Sequence, residues 1–345
     1  MADNGHAWGQ PGRTTDHATD HVPGWGQPGP ATGSGSGPAG WREVFRDDFS
    51  GPQGGRPAPA RWRTDLGTCY LSPATGACVV DHWGTGEVTT MTADPRNLSL
   101  DGDGHLAITA TRDATGRWAS GRIETVPAGF RAPEGGALRV SSRLRLPGLP
   151  PALARGYLTA FWMLGAPFRD AFQYDPQAGE IDVMEQLDGQ PVARGTLHCA
   201  SSSPLLPPPD PCQELPDGVG LTATTSCSAG TCLDGFHTFA VEVHRDSTPQ
   251  RIDWLADGQV YQSVDRNRPG MDDATWRRIV DQSFFVIINL SIGGTWPGAP
   301  DPATGQASVC IDDVEVSVLD PHADQRPTTD QHHAGHGDRN VAAHA

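Results

Sequence analysis

Apolar residues recur along this chain mostly at every second position, in short runs broken by Gly, Pro, Asn and Asp. That period belongs to half-buried strands, and few segments show the longer spacing of an amphipathic helix. Leu98, Leu100, Leu106 and Ile108 alternate around Asp101-Gly102-Asp103-Gly104, which predicts a hairpin. Within 123–146, Leu138, Val140, Ser142 and Leu144 share one face of a strand. Tyr157 to Leu164 predicts another strand, Ile252 to Val264 a hairpin turning at Asp257-Gly258, and Val309 to Val318 a closing strand. Phe284 to Ile292 is almost continuously apolar, as in a central strand buried on both faces, so Asn289 within it needs a hydrogen-bond partner. Only 272–282 predicts a short helix. The pattern as a whole predicts one all-β domain, a sandwich opening at Trp41 to Ser50 with Val44, Phe45 and Phe49 as its first apolar positions.

One stretch adds charge to the alternation. In Gly179-Glu180-Ile181-Asp182-Val183-Met184-Glu185-Gln186, three carboxylates fall within six residues. Ile181 and Val183 alternate with Glu180 and Asp182, giving a strand one apolar and one acidic face. Strict alternation would carry Glu185 to the apolar face, whereas one extra residue at Val183-Met184, a β-bulge, returns it to the acidic side. Like charges this close raise one another's pKa, and no Lys or Arg inside the stretch offsets them. Hydrolysis of a glycosidic bond needs one carboxylate that stays ionised and one carboxyl that stays protonated, about 5–5.5 Å apart in retaining enzymes. A third acid nearby can hold the two pKa values apart. An exposed acidic strand on a solvated face shows the same spacing without any chemistry.

Glu180-Ile181-Asp182-Val183-Met184-Glu185 resembles the Glu-x-Asp-x-x-Glu signature of glycoside hydrolase family 16, in the bulged form of its laminarinase-like branch. Further segments match in the family's order: Trp83-Gly-Thr-Gly-Glu87, Ser120-Gly-Arg-Ile-Glu-Thr125, Ala160-Phe-Trp-Met-Leu-Gly165, Gly195-Thr-Leu-His198, Phe236-His-Thr-Phe239 and Asn289-Leu-Ser-Ile-Gly-Gly-Thr-Trp-Pro-Gly298. The resemblance covers about Trp41 to Leu319. It implies a β-jelly-roll sandwich of two antiparallel sheets, with a concave groove for a polysaccharide. It also implies a retaining, endo-acting hydrolase of laminarin-like β-1,3-glucan, with Glu180 as nucleophile, Asp182 steadying its charge, and Glu185 as acid and then base.

The same resemblance places Trp83 on the non-reducing arm of the cleft and Trp162, His198 and Trp296 along it. Ordinary packing is the plainer role for a Trp near a turn, and a core position or a structural role is open for Trp162 and His198. His237 reads as structural. Asp312 falls where the family supplies a carboxylate to a structural calcium, with main-chain oxygens from near Asp48 and Gly104; a surface Asp in a strand is the alternative. No cofactor is expected for catalysis. Position 85 is Thr where laminarinases carry Asn, and Leu158-Thr-Ala-Phe-Trp162 keeps only the second Trp of the family's usual pattern. Two other readings remain: a mixed-linkage or galactan hydrolase of the same family, and a glucan-binding protein without turnover.

Composition narrows the partners. A net charge of −16 argues against nucleic acid and anionic membrane surfaces and suits a neutral polysaccharide. All 25 basic residues are Arg. Six of the seven Cys form local couples, Cys69 with Cys78, Cys199 with Cys212 and Cys227 with Cys232, each bracketing a Gly-, Pro- or Ser-rich loop; Cys310 stands apart. Paired as disulfides they imply an oxidising compartment and an extracellular protein, although the sequence opens without a basic start or an apolar run of signal-peptide length. No stretch reaches the roughly 20 apolar residues of a membrane span. Residues 1–40 and 320–345 are rich in Gly, Pro and His and read as disordered, with the Ser201 to Leu233 insertion a rim loop. A monomer is expected.

Overall fold

The computed structural model describes residues 40–72, 75–171, 178–199, 212–213, 220–228 and 230–321. All of these fall in the unit Pro38–Ala345. The segments expected to be disordered, 1–40 and 320–345, lie outside the described residues apart from Gly40, Asp320 and Pro321. The chain runs through β1 (Trp41–Asp47), β2 (Trp62–Thr64), β3 (Cys69–Leu71), β4 (Cys78–Asp81), β5 (Thr89–Met91), β6 (Leu98–Leu100), β7 (Leu106–Arg112), β8 (Trp118–Ser120), β9 (Arg122–Thr125) and β10 (Ala137–Arg145). It continues with β11 (Tyr157–Gly165), helix α1 (Ala166–Ala171), β12 (Glu180–Leu187), β13 (Ala193–His198), β14 (Leu221–Thr225), β15 (His237–His244), β16 (Arg251–Ala256), β17 (Gln259–Asp265), helix α2 (Asp273–Val280), β18 (Phe284–Ile292) and β19 (Ala307–Leu319).

Two large sheets form a jelly-roll sandwich. One has the order β17-β16-β15-β10-β19-β7-β8-β5, with β1 added on β19 and β6 on β7; the other has the order β14-β13-β12-β11-β18-β9-β2. Pairing is antiparallel except between β5 and β8, and β3 with β4 makes a small third sheet that the apolar pattern did not predict. The alternation read from the sequence decides what lies between the large sheets. Leu138, Val140 and Leu144 of β10 and Val314 and Val316 of β19 meet Phe161 and Met163 of β11 and Ile288 and Leu290 of β18 in one core, all at most 1% exposed. Burying each such side chain contributes on the order of 1.5–3 kcal/mol. β18 is buried at every position, as its apolar run requires.

Local sequence signals set the turns. Asp257 and Gly258 both adopt positive φ, 48° and 78°, between Ala256 and Gln259. Two left-handed residues in a row match the twist of the flanking strands, which is why Asp-Gly closes this hairpin. Asp272 caps α2 by accepting the Thr275 N–H at 2.7 Å. His237 is buried and its Nδ1 lies 2.8 Å from the Asp257 carboxylate, a structural pairing. The three Cys couples are disulfides and Cys310 is free and buried. One expectation needs correction: within the Ser201 to Leu233 insertion, Leu221–Thr225 is a strand that extends the site's sheet by pairing with β13. Its Leu-Thr-Ala-Thr-Thr sequence favours a strand, but the Pro-rich flanks masked that signal.

Candidate active site

Strand β12 carries the acidic motif, and its register with both neighbours slips inside it. Against β11, Asp182 pairs with Trp162 and Met184 with Phe161, leaving Val183 without a counterpart. Against β13, Asp182 pairs with Thr196 and Glu185 with Arg194, so Val183 and Met184 together face Gly195. This is a one-residue bulge at the position the charge pattern required. Ile181, Val183 and Met184 are fully buried in the sandwich core. Glu180, Asp182 and Glu185 all line a groove on the other face of the sheet.

The bulge is held from beneath. Trp254 of β16, in the facing sheet, is fully buried and donates its indole N–H to the Asp182 carbonyl at 2.8 Å. Gly195, opposite the bulge, leaves room for that indole: a Cβ there would stand 2.3 Å from Trp254 Cδ1 and 2.5 Å from the Tyr261 hydroxyl oxygen. No side chain larger than a hydrogen fits at that position without displacing the tryptophan.

The three acids have different surroundings. Glu185 is buried, and the Thr196 hydroxyl donates to its Oε2 at 3.2 Å. Burial pushes its carboxyl above the usual carboxylate range, while His198, the Thr196 hydroxyl and Arg194 pull part of the way back. Asp182 is buried too, with His198 Nε2 3.5 Å from its Oδ2. Glu180 is more exposed and pairs in register with His198. Ligand atoms of Glu180, Asp182 and His198 lie within 4.8 Å of one another. The set is compact enough to hold a metal ion, although acid–base hydrolysis by two carboxyls calls for none.

Away from the acids, the sheet register places Glu185, Ala160, Asn289 and Arg122 in one row across β12, β11, β18 and β9. Asn289 has the partner that burial demands: it accepts the Trp162 indole N–H at 2.8 Å. Arg122 is buried beside the groove, donating to Asp65 Oδ2 at 3.1 Å and to the Tyr70 hydroxyl. Its guanidinium sits 4.8 Å from the centre of the Tyr70 ring, 4.9 Å from that of Trp83 and 5.0 Å from that of Trp162. Trp162 and Trp83 both line the groove, Trp162 half-buried and Trp83 only 7% exposed. Most of the Trp83 ring therefore packs on protein. Trp296, 47% exposed, stands outside the groove lining, with Arg194 5.7 Å from its ring centre.

Asp312 lies in β19, away from the groove. The Arg143 guanidinium pairs with its Oδ2, and His105 Nε2 is 3.9 Å from its Oδ1. His105 is itself bonded to Asp101 at 2.7 Å and stacked on Phe236. Both carboxylate oxygens thus face basic groups, and Asp312 joins no cluster of three or more ligating side chains among the described residues. Calcium takes six to eight oxygen donors, which the resemblance would draw from main-chain oxygens near Asp48 and Gly104 beside this carboxylate.

Four groove residues did not stand out in the sequence as site residues. Glu87 and Arg122 lie inside quoted motifs, and the run Arg122 to Thr125 is buried throughout, so a charge inside a buried strand was the available signal. Ser291 shares the face of Asn289, two residues on. Tyr70 comes from the disulfide-closed β3–β4 hairpin, and nothing in its local sequence marks it.

No family model matches the chain. An endo-1,3-β-glucanase from Streptomyces sioyaensis, known as a crystal structure, is 43% identical with a TM-score of 0.76, covering 84% of this chain and 100% of that one. The β-glucanase of Rhodothermus marinus is 30% identical over 284 residues, 80% of this chain and 85% of the relative. A glucan endo-1,3-β-glucosidase of Cryptopygus antarcticus is 26% identical over 269 residues, 75% of this chain and 83% of the relative.

Proposed function

This chain belongs to glycoside hydrolase family 16, in its laminarinase-like branch, and is a hydrolase of O-glycosyl bonds; from that premise we propose that it cuts β-1,3-glucan internally, by double displacement at Glu180 and Glu185. The observation that carries the assignment of residues is the bulge in β12, which brings all three acids to one groove. Glu180, the more exposed carboxylate, attacks the anomeric carbon. Glu185, whose carboxyl burial raises above its ordinary range, gives its proton to the departing glycosidic oxygen. The carboxylate it becomes then removes a proton from water, which attacks the same carbon and releases Glu180. Two displacements at one centre retain its configuration.

Asp182 shares one compact cluster with the nucleophile and His198. A negative charge on Asp182 makes ionisation of Glu180 costlier, and the His198 imidazole, 3.5 Å from the Asp182 carboxylate, faces that charge. The groove runs on past Trp162 and Trp83, so a glucan chain can lie across several strands, as internal cleavage requires. Three disulfides suit an oxidising, extracellular setting, where such a polymer is met. None of the helices among the described residues is long and apolar enough to cross a membrane.

Release of reducing ends from laminarin by the wild type, Glu180→Gln and Glu185→Gln tests the assignment. The wild type is expected to release them and each variant to fall by at least a thousandfold. Equal release by all three would end the reading.

A further inference from the structure

A general acid has to carry its proton on the oxygen that meets the substrate. Among the described residues, the hydrogen bond to the Glu185 carboxyl falls on Oε2, from the Thr196 hydroxyl at 3.2 Å. Thr196 Oγ1 lies in turn 3.0 Å from the Thr222 hydroxyl of β14. A hydroxyl has one proton to give and two lone pairs. If Thr196 gives its proton to Oε2, it can only accept at its other contact, which makes Thr222 the donor. The opposite order, Glu185 to Thr196 and Thr196 to Thr222, would aim the acid's proton into the protein.

The sheet builds this contact in. Thr196 and Thr222 are paired in register between β13 and β14, so their side chains share the face on which the acids lie. The Gln262 side chain of β17 donates to the Leu221 carbonyl at 2.8 Å, tying the edge strand to the facing sheet. Gly220, at φ 70°, lies so close that a Cβ there would stand 2.6 Å from Thr196 Cγ2 and 2.9 Å from His198 Cε1. Strand β14 is therefore held flush against the strand that serves Glu185. A Thr–Thr pair across two strands ordinarily does no more than stabilise the sheet. This one ends on a catalytic carboxyl.

We infer that Thr222 is a positioning residue for the acid step: its hydroxyl donates to Thr196, which commits the Thr196 proton to Glu185 Oε2 and leaves the acid's own proton on Oε1. This rests on the role given to Glu185 above. In the step itself the O–H bond at Oε1 breaks, its proton passes to the glycosidic oxygen as the bond to the anomeric carbon breaks, and Thr196 keeps its own proton throughout. A donor to Thr196 also strengthens the bond that Thr196 makes. Donation by Thr196 is one of the influences that hold down the raised pKa of Glu185, so weakening it lets that pKa rise further. The titratable and charged groups that face Glu185 are Glu180 and Asp182 on its own strand, Arg194 and His198 on β13, Tyr261 on β17, and Glu87 and Arg122 farther along the groove. Thr222→Val alters none of them and keeps the shape of the side chain.

The test is kcat/KM against pH on laminarin and on the 2,4-dinitrophenyl glycoside of β-1,3-linked diglucose, for the wild type, Thr222→Val, Thr222→Ser, Thr196→Val and the double valine variant. Dinitrophenolate departs without a proton, so its release does not call on the acid. Thr222→Val is expected to lose about three- to tenfold on laminarin, at least about twice its loss on the glycoside. Its basic limb on laminarin should move to higher pH by up to about 0.7 unit. Thr222→Ser, which keeps the hydroxyl, should restore both. The double variant should match Thr196→Val alone, because the two changes interrupt one relay. Equal losses on the two substrates, a limb that stays in place or moves to lower pH, or additive effects in the double variant would overturn the relay and leave the glucanase reading standing. A wild type inert on both substrates would overturn that reading and the relay with it.

Discussion

Trp254→Phe separates what holds the bulge from what performs the chemistry. The substitution keeps an aromatic ring in the core and removes one N–H, the donor 2.8 Å from the Asp182 carbonyl. Leaving that buried acceptor without a partner costs about 1–3 kcal/mol, and the smaller ring forfeits further contacts. A total near 3 kcal/mol would lower the melting temperature by roughly 6–12 °C for a domain of this class. The carbonyl belongs to the residue between Glu180 and Glu185, so relaxation of the bulge changes their spacing. A misplacement of about 1 Å at reacting groups can cost on the order of a hundredfold. The expected result is kcat on laminarin reduced by about ten- to a hundredfold with KM within threefold, measured well below the melting temperature. Leu144→Ala, a fully buried change in β10, serves as a control that destabilises by about 2–5 kcal/mol with kcat unchanged. If Trp254→Phe loses the same stability as the control and keeps wild-type kcat, the indole does not position the acids and the reasoning fails.

Gly195→Ala places a Cβ against Trp254 and the Tyr261 hydroxyl and is expected to destabilise by about 1–3 kcal/mol and cut kcat with it; unchanged melting and activity would contradict the close approach described. The pH profile has a definite sign. Glu185 must be protonated to act as acid and burial raises its pKa, so kcat/KM falls as pH rises through that raised value. Thr196→Val removes a hydroxyl that lowers this pKa, so the basic limb should move to higher pH, and a move to lower pH would count against the assignment. Chelation by EDTA is expected to leave the melting temperature unchanged within about 1 °C, because Arg143 and His105 already face the Asp312 oxygens. A fall that calcium reverses would show that a cation binds there after all.

Much of this arrangement was readable because it is repetitive. The alternation of Leu138, Val140 and Leu144, the unbroken run of β18 and the Asp257-Gly258 turn are local signals, each dictated by which face is buried or which backbone a turn demands. The bulge was readable for a different reason: three acids on one strand share a face only if one residue is extra. What escaped depends on contacts far apart in sequence. Tyr70 reaches Arg122 across 52 residues, and Trp254 reaches Asp182 across 72. No spacing within a segment encodes such meetings. Trp83 shows the same limit from the other side, since its place in the groove followed from its motif but its burial under Arg122 and Tyr70 did not. The company of Asp312 likewise arises from Arg143 within β10 and His105 just before β7, and a match at one position could not report it.

The most direct test of the two glutamates' roles is azide rescue with a 2,4-dinitrophenyl glycoside of β-1,3-linked diglucose, the product's anomeric configuration being read by proton NMR. With Glu180→Ala, azide should replace the missing nucleophile and give the α-glycosyl azide; with Glu185→Ala, the glycosyl-enzyme still forms and azide should give the β-glycosyl azide. The same anomer from both variants, or the two outcomes exchanged, would contradict the assignment of Glu180 as nucleophile and Glu185 as acid and base.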